Sequence, residues 1–402
     1  MRRWSGAFAL GVGVTVAATA FGSRPLGVAG VGLLLAAVLT RVWAGLVRSP
    51  VAVVPEIDPA VALEGDRITI AIEARRSSRV PVGSAFVHGT VGRLGAREWR
   101  LRGHGRTARA NVELGVLPRG CFPLADARLV LGDFLGLEFV TPPATFSPAT
   151  VIVYPRLVTL DGLFSDAGRA GGDGRRLLLR RAAGFDFHSV REYEQGESLR
   201  RVHWPTSAHR GQLMVKELED SPRDSAVVVL DCDPAGAAGE PPDSSFDMAV
   251  RAAGSILQMY ATRGRSAVLV TTGSDREVVP VRSGESDFGA ALAALAATEA
   301  DARHELARVL NTDHPSIARG GELVVVTSTL EPAAVAALLR FATRRLVSVV
   351  WIDAPSWASR PTAATPSVLR LSVSGVPVAV VRRGADLVTA LSAGRAGVAA
   401  GG

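Results

Sequence analysis

Two long apolar runs near the start of the chain restrict its fold more than any other feature. From Trp4 to Phe21 there is no charged residue, and after the short break GSRP a second run, from Leu26 to Val47, is interrupted only by Arg41. At ~1.5 Å per residue each run makes about 27–33 Å of helix, enough to cross a hydrocarbon layer of about 30 Å. Gly22 and Pro25 supply the reversal between them. The apolar content of 48% and a positive mean hydropathy point the same way, since a soluble chain of this size seldom shows either. A cleaved signal peptide competes for the first run, because Arg2 and Arg3 precede it and ATA at 18–20 resembles a cleavage site. The second run argues against it, as a secretory core is not normally followed at once by another spanning segment. Arg2 and Arg3 flank one end of the hairpin and Arg41 and Arg48 the other, with Arg24 alone in the turn. The positive-inside rule then predicts a multi-pass protein of the cell membrane with both termini cytoplasmic. Arg41 reaches the headgroups from near the helix end and needs no functional explanation.

With 402 residues, the remainder is too long for one core and predicts further domains. Cys121 and Cys232 lie in different segments and form no disulfide framework, which suits a reducing compartment. The net charge of +7 comes almost wholly from arginine, Lys216 being the only lysine, and supports no nucleic-acid partner. The acids Glu192, Glu194, Glu197, Glu217 and Glu219 in the most basic stretch oppose such a partner directly.

Residues 51–156 change to short alternating stretches, at 67–76, 81–91, 97–103, 106–116 and 125–133, separated by Gly, Pro and Asp. That is the pattern of an antiparallel β-sandwich with one wet face per sheet. A Gly- and Arg-rich stretch over 157–182 has no phosphate-loop spacing and reads as a linker. From 183 to 402 the runs AVVVLD (226–231), SAVLVTT (266–272), ELVVVTS (322–328) and RLVSVVWID (345–353) predict strands buried on both faces of a parallel sheet. Helix-like stretches at 245–264, 287–310 and 331–345 alternate with them, and 376–391 closes the series as strand and helix. A doubly wound α/β domain is expected, with any ligand at the carboxyl ends of its strands.

That rule singles out LDCDPAG (230–236), where Asp231 and Asp233 end the first core strand, with Thr271 and Thr272 at the end of the next. Carboxylates and hydroxyls converging there suit a hard divalent cation such as Mg²⁺. Von Willebrand factor A domains carry D-x-S-x-S at this place; Asp231 fits, but Asp233 and Ala235 occupy the serine positions. Haloacid-dehalogenase-like phosphatases carry D-x-D, which makes a Mg²⁺-dependent phosphohydrolase using Asp231 and Asp233 the alternative activity. That chemistry also needs a lysine and a second acidic pair; Lys216 lies upstream and VVVTSTLEP (324–332) offers no acidic pair. The plainest reading is that the two aspartates cap the turn that follows.

The segment FDFHSVREYEQGESLRRVHWPTSAHRGQLMVKELE (185–219) resembles the signature of the DUF58 family. Phe187, Ser189, Arg191, Tyr193, Gly196, Arg200, Arg201, Trp204, Ser207 and Ala208 are spaced as in that family, while Glu197 replaces its Asp and His209 its Arg. The stretch RGCFPLADARLVLGDFLGLEFV (119–140) and VYPR (153–156) are similar to further family elements. The resemblance implies two spanning helices, a β-rich region and a von Willebrand factor A-like domain. It also implies partnership with a MoxR-type AAA+ ATPase and with a transglutaminase-like membrane protein.

Within the signature, Arg191, Arg200 and Arg201 suit forked hydrogen bonds to neighbouring glutamates or carbonyls, and Tyr193 and Trp204 supply apolar bodies with polar tips. Such a set either braces the α/β domain or presents a docking surface. His188, His203 and His209 have neither metal-ligand spacing nor a nucleophile with an oxyanion motif. The expectation is therefore a membrane-anchored, non-enzymatic scaffold divided as hairpin (1–50), β-sandwich (51–156), linker (157–182) and signature with α/β domain (183–402).

Overall fold

The structure is a computed structural model that describes residues 3–77, 79–103, 106–165, 187–192, 204–218, 225–274, 277–281, 285–302, 305–311, 321–358 and 366–392. It divides into two compact units, Met1–Tyr154 and Pro155–Gly402.

The first unit opens with helices α1 (Arg3–Phe21) and α2 (Arg24–Leu46), both long and apolar enough to cross a membrane. They pack closely because small residues line the seam. A Cβ on Gly30 would lie 2.4 Å from Thr15 Oγ1, and one on Gly11 3.0 Å from Leu34 Cγ. The buried positions of α2, Gly30, Ala37, Thr40 and Ala44, recur at helical spacing on one stripe. Val28, Val31, Leu35, Leu39 and Val42 are exposed around the rest of it, an apolar surface that water would not tolerate but lipid does.

Ten strands follow: β1 (Val51–Asp58), β2 (Ala62–Leu63), β3 (Arg67–Arg76), β4 (Ser84–Val91), β5 (Ala96–Leu101), β6 (Thr107–Val116), β7 (Gly120–Gly132), β8 (Phe139–Val140), β9 (Ala144–Phe146) and β10 (Thr150–Tyr154). One sheet has the order β6-β3-β1-β9 and the other β2-β10-β7-β4-β5, with β8 on β7. Their inward faces share one core, in which Ile68, Ile70 and Ile72 of β3 join Val87, Phe122, Leu129, Leu131 and Val153. The expected antiparallel pattern needs correction at two places, since β1 pairs with β9, and β10 with β2, in parallel. Strand β1 itself escapes the sequence pattern because Pro55 interrupts it. The proline is tolerated since β9 pairs only with residues 51–53 of β1, leaving Pro55 at an edge on that side.

The second unit holds a six-stranded sheet in the order β15-β14-β13-β16-β17-β18, built from β13 (Ala226–Leu230), β14 (Ala267–Thr271), β15 (Val278–Val281), β16 (Glu322–Thr327), β17 (Leu346–Ile352) and β18 (Val378–Val381). All pairings are parallel except β14 with β15, so the sheet is mixed rather than wholly parallel. Strand β13 is buried on both faces. Ala226, Val228 and Leu230 pack into one core with helix α4 (Ser245–Thr262), and Val227 and Val229 into another with α6 (Leu306–Asn311) and α7 (Pro332–Ala342). Each fully buried Val or Leu of this kind contributes roughly 1.5–3 kcal/mol of transfer free energy. A reciprocal capping box, Ser244 with Asp247, starts α4.

Two expectations change in this unit. The stretch predicted as one helix over 287–310 is two, α5 (Glu285–Ala297) and α6, because the chain between them turns to meet the strand ends: Ala302 N donates to Cys232 O, and Asp301 accepts from Ser274 N and Oγ. The residues expected to begin a linker are packed instead. Leu160, Leu163 and Phe164 are buried in the α4 core, Val158 N donates to Ser255 Oγ at 3.0 Å, and Leu157 fills the space beside Gly254. Apolar side chains at 157, 158, 160, 163 and 164 made this foreseeable; of the glycines that suggested a linker only Gly162 lies among them, and Gly168, Gly171, Gly172 and Gly174 lie further on. Two short helices, α8 (Pro366–Val373) and α9 (Leu387–Ser392), complete the sheet's cover.

Candidate functional site

The strand order reverses between β13 and β16, the place where open α/β sheets bind their ligands. Asp231 follows directly on β13 there, 4% exposed. Its Oδ2 accepts from Thr327 Oγ1 at 2.6 Å and from Thr329 Oγ1 at 3.1 Å, and its Oδ1 from Thr272 Oγ1 at 3.2 Å. Asp233 Oδ2 also accepts from Thr329 Oγ1 at 3.1 Å, while its Oδ1 accepts from Ala235 N at 2.9 Å and so caps the turn Pro234–Gly236.

The two aspartates thus have different tasks. Asp233 does what the capping reading expects, whereas Asp231 ties the ends of three neighbouring strands together. Of the two threonines expected to face them, only Thr272 does so; Thr271 Oγ1 accepts from Glu277 N and closes the turn into β15. Thr327 and Thr329 escaped the sequence reading, which searched β16 for acids. Their signal was available: two hydroxyls at i and i+2 at the tip of a buried strand, which a parallel sheet brings beside the neighbouring tip.

Proton counting describes the chemistry of the cluster. The hydroxyls of Thr272, Thr327 and Thr329 carry one proton each. Thr327 Oγ1 lies 2.6 Å from both Asp231 Oδ2 and Thr329 O, and Thr329 Oγ1 lies 3.1 Å from both carboxylates. Three protons face more acceptors than they can serve. When Asp231 is ionised its Oδ2 accepts from Thr327; were it protonated, it would donate to Thr327 Oγ1 and Thr327 would donate onward to Thr329 O. Burial pushes Asp231 above the ordinary carboxyl range in the same sense, with the charge of Asp233 adding to it and the threonine hydroxyls opposing. Beside it, burial raises the Cys232 thiol to about 12, so it is inert.

The oxygen donors are of the kind a hard cation takes, but they do not complete an adhesion-type site. Ala235 offers no side-chain oxygen, both oxygens of Asp231 already accept hydroxyls, and among the described residues no third acidic, histidine or cysteine side chain joins the pair. For phosphoryl chemistry, Lys216 sits in a different sheet, where β12 (Met214–Leu218) pairs with β11 (Phe187–Glu192).

That two-stranded sheet and α3 (Trp204–Arg210) carry part of the signature. Arg191 lies in β11 opposite Val215, and Trp204 begins α3. Ser207 is buried; its Oγ accepts from Met214 N at 2.9 Å and lies 3.4 Å from Met214 O, fastening α3 to β12. His209 is exposed at the end of α3. Tyr193, Gly196, Glu197, Arg200 and Arg201 lie outside the described residues.

Residues 189–365 match the family model described as "Protein of unknown function DUF58". The chain is 26% identical over 287 residues to the uncharacterized protein YeaD of Bacillus subtilis (strain 168), covering 68% of this chain and 69% of that one. Among solved structures, IrmA from Escherichia coli aligns over 28% of this chain and 99% of its own at 11% identity and a TM-score of 0.18. The alkylpurine DNA glycosylase AlkC of Pseudomonas fluorescens aligns over 32% and 38% at 14% identity and the same TM-score of 0.18. Neither likeness is close enough to carry a fold or a function.

Proposed function

We propose that this chain is a non-enzymatic interaction protein of the DUF58 type, anchored in the cell membrane by α1 and α2 with both ends in the cytoplasm. In this reading the strands of the first unit form a β-sandwich and the second unit is a von Willebrand factor A-like domain that engages a MoxR-type AAA+ ATPase. A transglutaminase-like membrane protein is the second expected partner, and assembly or remodelling of envelope complexes the expected process.

One observation carries the proposal: the hydroxyls converging at the switch point, those of Thr272, Thr327 and Thr329, are spent on the carboxyl groups of Asp231 and Asp233, and among the described residues no histidine or lysine is bonded to the cluster. Such a site suits recognition of a partner better than turnover of a substrate. The strand order, with its single antiparallel edge strand, supports the domain assignment. Tagged full-length protein extracted in mild detergent should bring down an AAA+ ATPase, and Asp231→Ala should weaken that capture. Recovery of no ATPase above background would remove the proposal.

A further inference from the structure

The turn between β7 and β8 exposes Phe134 and Leu135 at 68% and 62%, followed by Phe139 at 48%. Phe134 and Phe139 are the exposed phenylalanines outside α1 and α2 among the described residues. The turn is firmly built. Asp133, itself 7% exposed, accepts from Glu138 N at 3.0 Å through Oδ1 and from Leu135 N at 3.3 Å through Oδ2. Gly136 takes the left-handed conformation, φ 67°, that lets the chain reverse. A second acceptance by Asp133 Oδ2 comes from α2, where Thr40 Oγ1 donates at 3.0 Å.

That last bond sets the height of the turn along α2. Thr40 lies six residues before Leu46, so about 9 Å in from the end of the helix. The same level is marked by side chains that favour the headgroup boundary: Arg41, whose guanidinium sits 5.9 Å over the Trp4 ring, and Trp43, whose Nε1 donates to Pro81 O at 2.7 Å. A buried carboxylate is therefore spent on fixing two large apolar side chains beside a helix, at the level of its aromatic and arginine belt.

We infer that the Asp133–Phe139 turn is a membrane-inserted anchor, with Phe134 and Leu135 seated in the lipid at the boundary between headgroups and acyl chains. Leu39 and Val42, exposed on either side of Thr40 in α2, and the turn bonded to Thr40 are then covered by one bilayer surface. The sheets are then held against the membrane at two places, by the chain leaving α2 and by this turn. The inference rests on the reading of α1 and α2 as spanning helices.

The test uses the full chain in vesicles of phosphatidylcholine and phosphatidylglycerol, with Cys121→Ser removing the exposed thiol and buried Cys232 left in place. Single cysteines at Phe134, Leu135, Leu35 and Glu113 are labelled with an environment-sensitive fluorophore, with and without nitroxide lipid, the nitroxide being placed near the top of the acyl chain for 134, 135 and 113 and near its end for Leu35, which lies at the middle of α2. Glu113 is the water control, because register places it opposite Thr69 and hence level with Asp58, seven residues along β1 from Val51. Labels at 134, 135 and 35 should shift to the blue and lose emission to the nitroxide lipid, while the label at 113 keeps its emission. Quenching at 35 without quenching at 134 and 135 leaves the spanning helices standing and overturns the inserted turn, as a protein-covered or water-facing turn predicts. Quenching at none of the three overturns both readings.

Discussion

Thr329 Oγ1 stands 3.1 Å from Asp231 Oδ2 and 3.1 Å from Asp233 Oδ2, so a single hydroxyl spans the two carboxyl groups at the tip of the first core strand. One proton cannot satisfy both, and this shortage decides how the site responds to pH and to cations.

The pH response follows from the raised Asp231. A folded state that holds this proton more tightly than the unfolded chain is favoured below the ordinary carboxyl range, and it loses that advantage as pH rises through the folded value. Stability contributed here therefore falls as pH increases above about 4. Asp231→Asn, which keeps the shape and cannot ionise, should flatten that fall. Melting temperatures of the detergent-solubilised protein across the acid to neutral range check it; parallel curves for the two proteins would show that Asp231 does not titrate in this window.

Cation binding would require the hydroxyls on Asp231 to give way. Millimolar Mg²⁺ is therefore expected to leave the melting temperature unchanged, since a ligand that bound the folded state would raise it. A rise that disappears in Asp231→Asn would assign a cation site to these residues. Turnover of a generic phosphate ester that disappears in the same variant would establish the phosphohydrolase alternative.

Ser207 gives the signature a structural task that is measurable. Ser207→Ala removes the acceptor of the buried Met214 amide and is expected to cost about 1–3 kcal/mol. Faster hydrogen exchange at Met214, with ATPase capture retained, would separate bracing from docking. Unchanged exchange would mean that the α3–β12 contact is held by other groups.

The seam of the helical hairpin depends on Gly30. A Cβ there meets Thr15 Oγ1 and the Thr15 backbone, so Gly30→Leu must push α1 from α2, at roughly 1–3 kcal/mol as for other overpacked sites. Gly13→Leu, at a glycine with open space around it, is the control. Equal melting temperatures for the two variants in detergent would show that the helices do not meet at Gly30.

Much of this architecture is legible from residue order alone, because burial leaves a periodic record. The uncharged run from Trp4 to Phe21, the alternation of Arg67–Arg76 and the unbroken AVVVL of β13 each state how many faces of an element are covered. The local chemistry of Asp233, a cap within two residues of its target, was likewise open to sequence reasoning. What needed the tertiary structure were relations between residues distant in the chain. The bond from Thr327 to Asp231 spans 96 residues and exists only because β13 and β16 are neighbours. Thr40 and Asp133 meet across 93 residues, and nothing in either neighbourhood announces the other. Periodicity records whether a side chain is buried, but not beside what; strand order and helix docking decide the partner, and here the partners make both the candidate site and the anchor.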